Sequence, residues 1–168
     1  SVIGSGDTII LPPQSNQVEH EAELVAVIGK RGRHITAETA KKHILGYTIG
    51  NDVTARDLQK SDNQWTRAKG FDTFCPFGPW IDTDFDPSDS VITCRVNGQM
   101  RQMASTRDMV FNVGTLVAYI SSVMTLEPGD LIFTGTPSGV GELKSGDEVA
   151  VEIEGLGMIK NKAQAEGR

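Results

Sequence analysis

The run His20-Glu21-Ala22-Glu23-Leu24-Val25-Ala26-Val27-Ile28-Gly29 sets two acids at the mouth of an apolar segment. Read as a strand, whose side chains alternate between faces, it puts Glu21 and Glu23 on one surface with Val25 and Val27. Like charges at that spacing repel unless a cation lies between them. A third acid, Asp52, follows in Gly50-Asn51-Asp52-Val53-Thr54-Ala55-Arg56-Asp57. A divalent cation bound through oxygen is the economical way to gather three carboxylates, and it points to an enzyme. Plainer readings compete with it: a solvated strand face for Glu21 and Glu23, and an Asx turn for Asn51-Asp52. A zinc site of the His-Glu-x-x-His type is excluded, because Leu24 stands where the second His is required.

Working outward, Asp7 to Leu11 reads as a short strand closed by Pro12-Pro13. Thr36 is a predicted helix cap, with Ala37, Ala40 and Ile44 facing inward and Gly46 ending the helix. Tyr47 to Ile49 then forms a strand that delivers Asn51 and Asp52 at its end. Residues 58 to 80 scatter Trp65, Phe71, Phe74, Phe77 and Trp80 among Gly and Pro without a period, the pattern of a long functional loop. Ile92 to Val96, Asn97-Gly98 and Gln99 to Gln102 predict a hairpin, since Asn-Gly suits a type I′ turn. Val113, Leu116, Val117, Ile120 and Met124 recur at helical spacing, with Asp108 as the cap. Leu131 to Thr134 is a strand before a Gly-rich loop. Val149, Val151 and Ile153 alternate with polar residues ahead of a turn at Gly155 and Gly157. These elements predict one α+β domain over residues 1–168, built mainly on β-sheet.

The chain has 168 residues, 38% hydrophobic and 23% charged, enough for a sizeable core without disulfides. Its formal net charge of -6 argues against a nucleic-acid partner. Cys75 and Cys94 belong to no paired motif, a usage suited to a reducing cytoplasm. No stretch approaches the roughly 20 apolar residues of a membrane span, so no membrane partner is expected. The entry directly into Ser1-Val2-Ile3-Gly4, without Met, leads us to expect further residues upstream of this catalytic domain.

Other candidate residues have two readings each. Arg56 and Asp57 suit a surface ion pair. Lys69, between Ala68 and Gly70, is either a solvated lysine or a cation placed beside a substrate carboxylate or a developing negative charge. Thr134-Gly135-Thr136-Pro137-Ser138-Gly139-Val140-Gly141 lacks the Gly-Lys-Ser/Thr of a phosphate loop, although its N–H groups and the Thr136 hydroxyl can hold a carboxylate. His34 and His43 read as surface or helix-end residues, and three histidines yield no Ser-His-Asp arrangement.

Taken in order, these segments resemble the fumarylacetoacetate hydrolase family. The likeness rests on His20 to Leu24 with Val27 to Lys30, on Asn51 to Asp57, on Trp65 through Thr73, on Val96-Asn97-Gly98, and on Pro128-Gly129-Asp130 through Gly141. The resemblance implies that Glu21, Glu23 and Asp52 bind Mg²⁺ or Mn²⁺, that Lys69 lies beside the metal as a catalytic group, and that Arg56, Gln59 and Thr136 face the substrate. It also implies the family's β-rich mixed-sheet fold and a homodimer. The implied activity is cleavage of a C–C bond, by hydrolysis or decarboxylation, in small 2-oxo or 1,3-diketo acids such as acylpyruvates. The alternative within catalysis is isomerisation of 2-hydroxyhepta-2,4-diene-1,7-dioate in aromatic catabolism. A non-catalytic, metal-binding structural member is the alternative of another class. In the family's hydrolases an upstream lid carries the His and Glu that activate water, and His20 cannot be assigned that role.

Overall fold

Seven consecutive buried residues, Ala22–Ile28, form an interior strand of the molecule, and the rest of the architecture follows from what flanks it. The computed structural model describes residues 1–167. Its strands are β1 (Val2–Ile3), β2 (Thr8–Leu11), β3 (Val18–His20), β4 (Ala22–Ile28), β5 (Ile44–Asn51), β6 (Thr54–Ala55), β7 (Cys75–Asp82), β8 (Val91–Val96), β9 (Gln99–Ser105), β10 (Leu131–Phe133), β11 (Gly141–Glu142), β12 (Glu148–Ile153) and β13 (Gly157–Ala165). The α-helices are α1 (Arg56–Ser61), α2 (Thr66–Lys69) and α3 (Val113–Val123). They assemble as a five-stranded sheet β1-β7-β5-β4-β10, a second five-stranded sheet β2-β13-β12-β8-β9, and a three-stranded sheet β11-β3-β6. Two pairs, β1 with β7 and β13 with β2, run parallel; the other pairs are antiparallel. The expected β-rich, mixed-sheet α+β class is therefore what the chain adopts.

The core lies between the two five-stranded sheets. Ala22, Leu24, Ala26 and Ile28 of β4 join Ile92, Cys94 and Val96 of β8, Val149, Val151 and Ile153 of β12, and Ile159 of β13 in one apolar cluster. Glu23, Val25 and Val27 alternate with those residues on β4, which puts them on the opposite face of the strand. Glu21 sits in the one-residue break between β3 and β4.

The Asn97-Gly98 hairpin is present, with φ of 52° and 78° at the two turn residues as a type I′ turn requires. Its second strand runs on to Ser105. The helix over residues 113–123 is also present, but its cap is Asn112, whose Oδ1 accepts from the Thr115 N–H at 2.9 Å. Asp108 ends a separate 3₁₀ turn four residues earlier.

Two further expectations fail. The helix from Thr36 to Gly46 is a single 3₁₀ turn, Ala40–Lys42, and Ile44 and Gly46 belong to β5, opposite Ile28 and Val27. Three small apolar residues are a weak stripe, and pairing with β4 overrides it. The aromatic loop of residues 58–80 holds α2 and most of β7, elements too short or too Pro-rich to show a period. Phe71 and Phe74 pack there with ring centroids 5.2 Å apart.

Gly50 on β5 lies directly across the ladder from Glu23. A methyl group there would collide with the Phe133 ring and come 2.6 Å from a Val25 methyl. Gly50→Ala is expected to destabilise the chain by about 1–3 kcal/mol, the usual cost of overpacking, seen as a lower urea midpoint with unchanged slope.

Candidate metal centre and active site

Two chain segments, the start of β4 with the break before it and the end of β5, meet at one spot. The β3–β4 break supplies Glu21, β4 supplies Glu23, and the end of β5 supplies Asp52. Their register is fixed by pairing, with Glu23 opposite Gly50 and Ala22 opposite Asn51. The Asp52 N–H donates to the Glu21 carbonyl at 2.9 Å, and Asn51 Oδ1 accepts from the Glu21 N–H at 2.9 Å. One carboxylate oxygen from each of Glu21, Glu23 and Asp52 lies within 4.8 Å of the others. Oxygens sharing one Mg²⁺ at about 2.1 Å stand roughly 3–4 Å apart, so the spacing suits a common ion.

The surroundings are charged and largely shut off from water. Lys69, at the last position of α2, places Nζ against Asp52, 3.1 Å from Glu21 Oε2 and 3.1 Å from Thr54 Oγ1. Arg56, at the first position of α1, donates to Glu19 Oε2 at 2.8 Å, to Glu21 Oε1 and to Gln59 Oε1. Glu23 accepts from the Gly135 N–H at 2.6 Å. Burial pushes the Glu23 carboxyl up to about 8, with the Asp52 charge adding to it. Burial likewise raises Asp52, despite its contact with Lys69. Burial alone would lower the Lys69 ammonium, but its hydrogen bonds and charge contacts with Asp52 and Glu21 outweigh that and raise it.

The cluster thus holds four carboxylates, of Glu19, Glu21, Glu23 and Asp52, against two cations, of Arg56 and Lys69. With every carboxylate ionised the cluster carries two more negative charges than positive where burial is costly, a deficit that a divalent cation would fill and that the metal-free chain relieves in part by keeping the Glu23 proton. An all-oxygen donor set selects hard ions such as Mg²⁺ and Mn²⁺. The residues therefore fit such an ion.

Arg56 and Gln59 pack together at the edge of this cluster. Thr136 does not stand in it with a free hydroxyl: its Oγ1 donates to the Ala22 carbonyl at 2.8 Å and accepts from Gln102 Nε2 at 2.8 Å. Arg56 forms no pair with Asp57, which accepts instead from Ser15 Oγ at 2.6 Å and the Asn16 N–H at 2.8 Å. His20 is fully buried, and its Nδ1 lies 3.1 Å from Gln102 Oε1. Sequence reasoning missed Glu19, Thr54 and Gln102; the Gly-rich loop does hold a carboxylate through an N–H, that of Gly135, and the carboxylate is the chain's own Glu23. Glu19 was within reach of the period-two argument, two positions before Glu21. Gln102 had no local signal, since it arrives from a strand eighty residues away.

A mixed-sheet domain with a lysine-flanked carboxylate cluster defines a class of protein able to hold a hard divalent cation at an enzyme-like site. The chain belongs to the fumarylacetoacetate hydrolase family, whose C-terminal model, Fumarylacetoacetate (FAA) hydrolase C-terminal, matches residues 1–164. It is similar to the 5-carboxymethyl-2-hydroxymuconate delta-isomerase from Mycobacterium smegmatis, at 51% identity and a TM-score of 0.98, over 99% of this chain and 66% of that one. It resembles the maleylpyruvate hydrolase from Sphingobium sp. SYK-6 at 37% identity and a TM-score of 0.89, over 98% and 61% of the two chains. Oxaloacetate tautomerase Fahd2a, mitochondrial, from Rattus norvegicus is 48% identical over 173 residues, covering 96% of this chain and 55% of that protein. The chain spans 55–66% of the length of these three relatives. Among the described residues, no helix is long and apolar enough to cross a membrane.

Proposed function

We propose that this domain belongs to a Mg²⁺- or Mn²⁺-dependent enzyme that converts a small 2-oxo acid through its enolate, with enol–keto isomerisation as the first reading. The observation that carries it is the convergence of Glu21, Glu23 and Asp52 with the Lys69 ammonium at their edge. A bound divalent cation would supply Lewis-acid stabilisation of an oxyanion. Lys69, kept cationic by its carboxylate neighbours, donates a hydrogen bond to the oxygen on which charge builds when a proton leaves the adjacent carbon. Arg56, with Gln59 beside it, offers a guanidinium to a substrate carboxylate at the edge of the cluster.

Isomerisation needs only proton transfers, and two of the relatives carry an isomerase or tautomerase name. C–C cleavage, by hydrolysis or decarboxylation, is the second reading, favoured by likeness to a maleylpyruvate hydrolase. Both readings need a base, to take the proton from carbon in isomerisation or to activate water in hydrolysis, and His20, turned into the core onto Gln102, supplies it for neither. A structural, non-catalytic role would use Lys69 only as a counter-charge to Glu21 and Asp52.

The test follows oxaloacetate and an acylpyruvate by ¹H NMR with the full-length protein. The expected result is accelerated enol–keto exchange with the carbon skeleton intact, abolished by EDTA and restored by Mn²⁺. Pyruvate and a released acid from the acylpyruvate would select cleavage instead. Turnover indifferent to EDTA would sink the metal-dependent reading.

A further inference from the structure

Strand β4 loses its neighbour where the two glutamates begin. The β10 ladder ends at Phe133, opposite Val25. Beyond it the exposed edge of β4 would leave backbone groups unpaired in a buried place, which is costly. Side chains, with one backbone N–H, complete it. The Leu24 carbonyl accepts from the Thr134 N–H at 3.2 Å and from Thr134 Oγ1 at 2.8 Å, and the Ala22 carbonyl accepts from Thr136 Oγ1 at 2.8 Å. The Ala22 N–H donates to Gln102 Oε1 at 3.2 Å.

Gln102, on β9 and 1% exposed, organises this edge. Its Oε1 faces the Ala22 N–H and His20 Nδ1, and its Nε2 donates to Thr136 Oγ1 and to the Pro137 carbonyl, both at 2.8 Å. The Ala22 N–H can only donate and the Pro137 carbonyl can only accept, so the orientation of the amide is fixed by its partners. His20 Nδ1 therefore carries hydrogen, and all four hydrogen-bonding sites of the amide are filled. Because Gln102 donates to Thr136, the Thr136 hydroxyl must spend its own hydrogen on the Ala22 carbonyl. Both backbone groups of Ala22 are thereby held, one directly by Gln102 and the other through Thr136. Ala22 is the residue between Glu21 and Glu23.

We propose that Gln102 is a positioning residue for the carboxylate site: through Ala22 and Thr136 it fixes the backbone between Glu21 and Glu23, so that both carboxylates meet one divalent cation. This rests on the metal-binding reading above. Groups behind a metal's ligands commonly set affinity by about 10- to 100-fold, and Gln102 acts on two ligands at once.

The test measures Mn²⁺ affinity of the full-length protein by calorimetry and by the EPR signal of bound Mn²⁺. Gln102→Met keeps the volume and removes the amide. It is expected to weaken Mn²⁺ binding at least about tenfold and to broaden the EPR lines. Adding Thr136→Val to that variant is expected to change affinity by less than about twofold further, since the two groups act on the same backbone. Thr136→Ser, which keeps the hydroxyl, retains affinity. Ile153→Val in the remote core lowers stability without weakening Mn²⁺ binding, which separates positioning from general loosening. A folded Gln102→Met protein with wild-type Mn²⁺ affinity overturns the proposal. Should Gln102→Met fail to fold, Thr136→Val alone decides it: about tenfold weaker binding supports the proposal and unchanged binding overturns it. Wild-type protein that binds no Mn²⁺ is a different outcome, which removes the metal reading itself.

Discussion

Replacing Lys69 by Met is expected to reduce turnover by about 100- to 1000-fold while the protein stays folded and still binds Mn²⁺, the scale found when one preorganised oxyanion donor is removed. The side chain contributes no ligand to the cluster; it contributes a charge at its edge, 3.1 Å from Glu21 Oε2 and against Asp52. Met fills the same volume without that charge. The loss falls on kcat more than on KM, because the enolate oxygen carries more charge than the substrate's keto oxygen. Steady-state kinetics beside Mn²⁺ titration separates the effects: a kcat within a factor of a few of wild type would remove Lys69 from the chemistry. In the metal-free protein the same substitution leaves Asp52 without its counter-charge and Glu21 with Arg56 alone, so added metal should stabilise Lys69→Met more than wild type.

Glu23→Gln has the opposite character, and its effect on the metal is larger. In the metal-free chain the Glu23 carboxyl is held up near 8, against an ordinary value of 4.5, by burial and by Asp52. The folded state therefore keeps a proton that the unfolded chain gives up. Any stability this group gives is intact below about 4.5 and is lost as pH rises toward 8. Gln mimics the protonated acid and can still accept from the Gly135 N–H. The metal-free variant should thus be at least as stable as wild type at pH 7, with a flatter dependence on pH between 5 and 8. With metal the order reverses. Wild type gains about 2.7 kcal/mol at a metal concentration 100 times Kd, and the variant gains almost none and loses activity. Thermal melts at several pH values, with and without Mg²⁺, check both halves. A variant still stabilised by Mg²⁺ like wild type would remove Glu23 from the ligand set.

These two residues mark how far the sequence could be read. Glu23 was legible because a strand's alternation and the start of an apolar run both act within a few residues, and Asp52 because a strand end precedes it. The Asn97-Gly98 turn was legible for the same local reason: few residue pairs accept positive φ twice in succession. Lys69 was picked out, but in a supposed loop, since α2 is four residues long and shows no period. The segment from Thr36 to Gly46 misled because local propensity there is weak, and what decides it is pairing of Ile44 to Asn51 with a strand twenty residues upstream. Thr136 was picked out as a free hydroxyl, whereas its partners, Ala22 and Gln102, come from strands far away in sequence. Contacts of that range leave no trace in a window of ten residues.

The central claim is that three carboxylates, two from the start of β4 and one from the end of β5, grip one divalent ion and leave part of its coordination free for a 2-oxo acid. Anomalous scattering from crystals of the full-length protein soaked with Mn²⁺ and oxalate tests it most directly. The account predicts one strong peak within about 2.2 Å of oxygens from Glu21, Glu23 and Asp52, with oxalate completing the sphere on the side of Lys69. Mn²⁺ absent from that position, or bound there with its sphere closed by protein atoms alone, would contradict it.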